Sequence, residues 1–345
     1  MHGNRTPAAW QRLLLLLALL FTISFLTSCA PVAAALDAPR SSVRPVVKIG
    51  LIAPFQGRYR RNGYDALDAV RQAIDDAGVG GAIAVDLLPL ALDDSADPAR
   101  AQRAAEKLLA STDVVAIIGP LTPALSHAVA PVLDAGTLDD GALNDSAQPP
   151  IRWIAPHAID PAGGFAAPDS HAWADGLVAA VGAAARSQGA TQLILAGWST
   201  GWPDYTVAQW SAVAGMPVAL AGDPRAVPAT DAILWLGSAD GGADFVRALR
   251  AQGNSAPFWM GPAGSDPVFS ERAPEVENAY WAAWVNADYN DWADDRVQAA
   301  PTAFAVYQAT RAAIAQLSDR TESAASWQVA LFALDDGVSM PVLFQ

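Results

Sequence analysis

A doubly wound α/β fold in two halves is predicted by three features of the chain. From Val46 onward, short apolar runs rich in Val, Ile and Leu alternate with segments of helical period. The alternation breaks over 137–150, in the polar run "TLDDGALNDSAQPP", and then resumes. Hydrophobic residues make up 52% of the 345-residue chain, and its single cysteine leaves no disulfide to share the load, so stability must come from packed cores.

The elements follow in order. "VVKIGLIAP" predicts a buried strand and 64–77 a helix. "AIAVDLLPL" predicts the next strand. Asp97-Pro98 opens a helix to about residue 110, with Asp as cap and Pro in the first turn. "DVVAIIGP" has the unbroken β-branched character of a parallel strand covered on both faces, and a helix follows over 123–135. "IRWIAP" predicts a short strand, and "HAIDPAGGFAAPDSH" an irregular crossover. The second half predicts helix 172–187, strand "QLILAGW", helix 204–214, strand "DAILWLG", helix "GADFVRALRAQG" and strand "PFWMGP". A long helix over 302–317 and a closing hairpin turned at Asp335-Asp336-Gly337 complete the pattern.

The N-terminal segment has a different logic. Arg5 and Arg12 precede the apolar run "LLLLLALLF", and small residues follow, which is the order of a secretory signal. Leu26-Thr27-Ser28-Cys29 resembles the lipobox of bacterial lipoproteins, which implies lipidation of Cys29 and removal of residues 1–28. Residues 30–45 read as a tether. The expected location is the extracytoplasmic face of a membrane, held by the lipid. The net charge of −14 argues against nucleic acid as a partner.

"VVKIGLIAPFQGRYRRNGYDALDAVRQAIDDA", "LDDSADPARAQRAAEKLL", "VVAIIGPLTPALSHAVAPVLDAG" and "DAILWLGSADGGADFVRALRAQG" occur in the order and spacing of a known family. Together they resemble the type I periplasmic binding proteins, and among them the leucine/isoleucine/valine-type receptors of ABC transporters. The resemblance implies two flavodoxin-like lobes closing over a small solute for an ABC permease. It places the first lobe at 46–155 with a return segment at 285–320. The second lobe is then 156–284 with the hairpin at 326–345. It also implies no catalysis and no cofactor or metal.

The same resemblance supplies candidate ligand contacts. The loop 55–64 forms one wall, with Tyr64 and Asp94 at the rim. Thr122 and Pro123 stand where the family holds a ligand carboxylate, at a helix start whose free N–H groups favour anions. Trp202 aligns with a stacking aromatic and Ser238 with a pocket aromatic. Ala263 replaces a glutamate that pairs with the ligand ammonium, and Asp266 lies nearby. Trp198, Trp235 and Trp259 are further aromatics near strand ends. An alternative is a lipoprotein of the same fold that has no transport ligand and acts through protein contacts in the cell envelope.

Three other patterns point elsewhere. Gly197-Trp198-Ser199-Thr200-Gly201 matches the G-x-S-x-G nucleophile elbow, but every histidine precedes Ser199, so the usual Ser–acid–His order is excluded. His157, Asp160, Asp169 and His171 gather metal-ligating types at a spacing that matches no closed site. Asp93, Asp94 and Asp97 lack the glycine and distal glutamate of a calcium loop.

Overall fold

A computed structural model describes residues 44–79, 84–137, 151–161, 164–167, 170–294, 300–317 and 326–333. The signal segment, Cys29, the tether to residue 43, Asp169, most of the 137–150 run and the turn at 335–337 lie outside the described residues. Everything described from Val46 onward belongs to one compact unit.

The first half is β1 (Val46–Ala53), α1 (Arg60–Val79), β2 (Asp86–Asp93), α2 (Pro98–Leu109), β3 (Val114–Ile118), α3 (Pro123–Thr137) and β4 (Arg152–Ile154). Its strands are parallel in the order β2-β1-β3-β4. β1 is buried from Ile49 to Ala53 because helices cover both faces of the sheet, which is why this strand shows no apolar–polar alternation. In α2, Asp97 accepts a hydrogen bond from the Arg100 N–H at 2.8 Å, and Ala101, Ala104, Ala105 and Leu108 form the buried stripe.

The second half comprises α4 (Ala172–Ser187), β5 (Leu193–Ala196), α5 (Val207–Ala214), β6 (Val218–Leu220), β7 (Ala232–Trp235), α6 (Ala239–Ala251), β8 (Phe258–Met260), α7 (Pro267–Arg272) and β9 (Ala279–Asn286). α8 (Tyr289–Asp294), α9 (Pro301–Leu317) and β10 (Trp327–Ala333) follow. The sheet order is β10-β9-β8-β7-β5-β6, parallel except for β10 against β9. This is the two-sheet α/β architecture expected from the sequence.

Several boundaries differ from the sequence reading. α1 begins at Arg60, four residues early, because its first turn folds back onto the β1 loop. A Cβ at Gly63 would stand 2.1 Å from the Pro54 carbonyl oxygen, so only glycine fits. β2 lies at Asp86–Asp93 instead of 82–90, aligned by its parallel register with all eight residues of β1. α5 starts at Val207 because Thr206 and Gln209 form a capping box there. β9 was not anticipated, since "AYWAAWVN" lacks turn punctuation and alternation. It is a nearly fully buried inner strand. The partner of β10 among the described residues is β9, not the second arm of a closing hairpin.

One apolar cluster runs through both halves. It joins Ile49, Leu51 and Val70 to Ile233 and Phe258, with Phe304 and Val306 of α9 between them. α9 packs on α1, where the Tyr307 hydroxyl donates to Asp76 at 2.8 Å. Trp292 of α8 donates to Gln72 of α1 at 3.1 Å. A fully buried side chain such as Phe304 contributes roughly 2–3 kcal/mol by leaving water, against about 1 kcal/mol for a neutral hydrogen bond. The shared cluster therefore holds the halves together more than these polar contacts do. No helix among the described residues is long and apolar enough to cross a membrane.

Candidate functional site

Open parallel sheets offer a crevice at the carboxyl ends of their strands. In this molecule the loops leaving those ends in the two halves meet one another. From the first half, the Arg58 guanidinium and the Tyr59 hydroxyl both donate to the Asp240 carboxylate at the start of α6. Asn62, in the first turn of α1, donates to Asp266 at 2.5 Å. Gly201, in the loop after β5, sits against the N-terminus of α3. Its φ is +95°, and a Cβ there would lie 2.3 Å from the Pro123 carbonyl oxygen.

These contacts fix the electrostatics of the polar edge. Burial, then the bond to Asp240, pushes the Tyr59 phenol up to about 12. Burial works to raise Asp240, but the bonds from Tyr59 and Ser238 and the charge of Arg58 outweigh it and hold this carboxyl below its ordinary range. Asp266, 7% exposed, is raised by burial against the opposing bonds from the Val268 N–H and Asn62. The loop carrying Arg58 is anchored at its start by Asp93, which accepts from the Phe55 N–H at 2.7 Å and the Gln56 N–H at 3.2 Å.

Elsewhere between the halves the lining is apolar. A cavity of about 40 Å³ is bounded by Leu121 of the first half, His157 and Ile159 of the crossover, Trp173 of α4, Trp284 of β9 and Thr302 of α9, among others. The Trp284 indole donates to the Trp173 backbone carbonyl at 3.0 Å, which fixes the Trp284 ring. The His157 ring meets Trp173 edge-on at 5.3 Å. Its Nδ1 is shielded from solvent without a hydrogen-bond partner among the described residues. Burial pushes this imidazole down to about 3, so it is neutral at physiological pH.

The residues singled out in the sequence fall into distinct places. Tyr64 is 53% exposed and packs edge-on against Phe55. Asp94, expected at the rim, is instead fully buried. Its N–H bonds to the Ala53 carbonyl, and Ser95 and Ala96 follow in left-handed conformation, folding the carboxyl under the loop. One Asp94 oxygen accepts from the Ala96 N–H, the other has no partner among the described residues, and burial pushes the carboxyl up to about 6. Thr122 caps α3, accepting from the Leu125 N–H at 3.4 Å, and Pro123 presents its carbonyl to Gly201. Trp202 packs against Trp173 at 4.7 Å, so one face of its ring is already occupied. Ser238 caps α6. Asp266 caps α7 and is joined to Asn62.

Of the remaining tryptophans, Trp259 is fully buried against Tyr280, Trp235 donates to the Ser238 carbonyl, and Trp198 is 42% exposed. Arg58, Tyr59, Asn62, Asp240, Trp173 and Trp284 were not singled out. The reading of 55–64 as a wall contained the first three, but nothing local announced their partners. Ser199 does not occupy an elbow, because β5 leads into a loop reaching to Thr206 instead of turning directly into a helix. Among the described residues, no three His, Cys, Asp or Glu side chains are grouped to hold a metal.

Residues 46–216 match a family model described as periplasmic binding protein. No curated protein matches the chain. Among solved structures, a leucine-binding protein of Thermotoga maritima is 16% identical, with 86% of this chain and 98% of that one covered at a TM-score of 0.64. A branched-chain amino-acid transporter substrate-binding protein of Streptococcus pneumoniae, in complex with isoleucine, is 16% identical over 85% and 97% at 0.61. A fatty-acid ABC transporter substrate-binding protein of Thermomonospora curvata is 12% identical over 86% and 91%, also at 0.61. At these identities the likeness is one of fold.

Proposed function

We propose that this chain, a member of the periplasmic binding protein family with the type I fold, captures a small solute between two lobes and presents it to an ABC permease. The lobes of the proposal are 46–155 with 285–320, and 156–284 with the C-terminal segment. The observation that carries the reading is the meeting of strand-end loops from both halves around one cleft, with Arg58, Tyr59 and Asn62 reaching Asp240 and Asp266. A clamp needs side chains that bridge both halves when it is shut, and the bonds of Arg58, Tyr59 and Asn62 to Asp240 and Asp266 support that reading. Tyr64, Thr122, Pro123, Trp202, Ser238 and Asp266 form the proposed walls, while Asp94 supports the loop from below. In this reading Cys29 carries a lipid that holds the clamp at the outer face of the membrane.

A solute panel read by thermal shift tests the capture. A compound bound only by the folded state raises the melting temperature with concentration. Silence across amino acids, amides, sugars and amines would remove the receptor function. It would favour a ligand-free lipoprotein acting through protein contacts, a reading motivated by the cleft residues already bonding to one another. The anchor has its own test. Cys29→Ser is expected to move the protein from the membrane fraction to the soluble one, and an unchanged distribution counts against it.

A further inference from the structure

The halves also meet main chain to main chain, at Gly201 and the first turn of α3. Gly201 has a φ of +95°, and a Cβ built on it would stand 2.3 Å from the Pro123 carbonyl oxygen, 2.5 Å from the carbonyl carbon and 2.9 Å from the Ala124 nitrogen. Each of these distances lies well inside van der Waals contact. All three atoms belong to the backbone of the first half, so no change of rotamer there makes room.

Both sides of the contact are braced. Trp202, the next residue after Gly201, packs on Trp173 of α4 at 4.7 Å. The Tyr205 hydroxyl donates to Asp175 of the same helix at 3.3 Å, and the capping box of Thr206 and Gln209 ties the loop into α5. On the other side, Thr122 caps α3, and the buried Ser126 hydroxyl donates to the Pro120 carbonyl at 3.3 Å. The Gly119 N–H donates to the Ile154 carbonyl at 3.0 Å. A long exposed side chain such as that of Arg58 follows a small shift of either half by changing rotamer, whereas two braced main chains do not.

We propose that Gly201 and the Pro123–Ala124 peptide form the stop that sets how far the two lobes shut, with glycine at 201 as the positioning residue. This rests on the two-lobed clamp reading above. Any side chain at 201 would then act as a wedge that holds the lobes further apart, and a larger one would hold them further.

The test is small-angle scattering at pH 7 on Gly201→Ala and Gly201→Leu, with Gly189→Ala and Gly189→Leu as controls. Gly189 lies in the same half with a φ of +86°, but nothing stands within 4 Å of the position of its Cβ. The two pairs therefore share the strain of a left-handed backbone, and only the Gly201 pair carries a wedge. Substitution at either position is expected to lower the melting temperature by about 2–4 °C. Only the Gly201 variants should show a larger radius of gyration than wild type, Leu more than Ala. Should Gly201→Leu fail to fold, Gly201→Ala keeps the test, because the Cβ alone meets the opposing backbone. Radii equal to wild type in the Gly201 variants, or equally enlarged in the Gly189 variants, overturn the stop. The contact is read without any solute, so it fails separately from the receptor function. Wider Gly201 variants of a protein that binds nothing in the solute panel keep the stop and remove the receptor, and a solute-binding wild type with unchanged Gly201 variants does the reverse.

Discussion

The two halves touch through surfaces of opposite character. One is polar and asymmetric, with donors Arg58, Tyr59 and Asn62 from the first half and acceptors Asp240 and Asp266 from the second. The other is apolar, built on Trp173, Trp284, Leu121 and α9, and continuous with the core. The difference teaches a division of labour. In the proposed clamp the apolar surface is the place where the halves pivot, because burial is strong and undirected. In the same proposal the polar one sets whether they are shut, because each of its bonds is individually weak and depends on alignment.

Breaking the apolar surface should have the largest effect. Trp173 is 2% exposed, and truncation of such a ring removes buried area and leaves a cavity. Trp173→Ala is expected to lower unfolding free energy by about 3–5 kcal/mol in urea titration. A loss below about 1 kcal/mol would mean that the halves are not held through this ring. Support beneath the polar surface gives the next effect, with the opposite sign. Asp94 ionises against burial, so its folded pKa of about 6 lies above the unfolded value near 3.9. Such a group lends stability at low pH that is lost as pH rises through about 6. Asp94→Asn should therefore stabilise the protein at pH 7 by about 2 kcal/mol and give little benefit at pH 4. His157 has the reverse sign. Its pKa is depressed below 6.5, so wild type should lose stability relative to His157→Gln as pH falls from about 6.5 toward 3. Melting curves across that range separate the two.

Much of the frame could be read from the chain because strands covered on both faces are written as unbroken apolar runs, as in Val114–Ile118, and caps such as Asp97 mark helix starts. β9 escaped for the same physical reason in excess. "AYWAAWVN" is so uniformly buried that it offers neither period nor punctuation. At the site, the 55–64 loop was visible but its bonds were not, since Arg58 and Asp240 stand 182 residues apart and meet only through the way two sheets are set together. Asp94 was misplaced because its burial follows from the left-handed turn at Ser95 and Ala96, a conformation those residue types do not advertise.

Within the polar surface, Asn62→Ala should cost about 1.5–2 kcal/mol, because it strips a donor from a carboxylate that is 7% exposed. A change within about 0.5 kcal/mol would show that water replaces the amide and that the surface is wetter than its geometry suggests.

The smallest expected effect is the most informative about shape. Arg58 is 58% exposed and Asp240 23%, so solvent screens their ion pair, and Asp240→Asn should change global stability by less than about 1 kcal/mol. Closure is another matter, because the same carboxylate also holds Tyr59. With its folded pKa depressed, Asp240 contributes above the unfolded value near 3.9, and that contribution disappears as pH falls through the lower folded pKa. Small-angle scattering at pH 7 should therefore find a larger radius of gyration in Asp240→Asn than in wild type, and the two should converge as pH falls through the lowered folded pKa of Asp240. Identical scattering of wild type and Asp240→Asn at pH 7 would transfer control of closure to the apolar surface and leave the bonds of Arg58, Tyr59 and Asn62 as consequences of a shape already set.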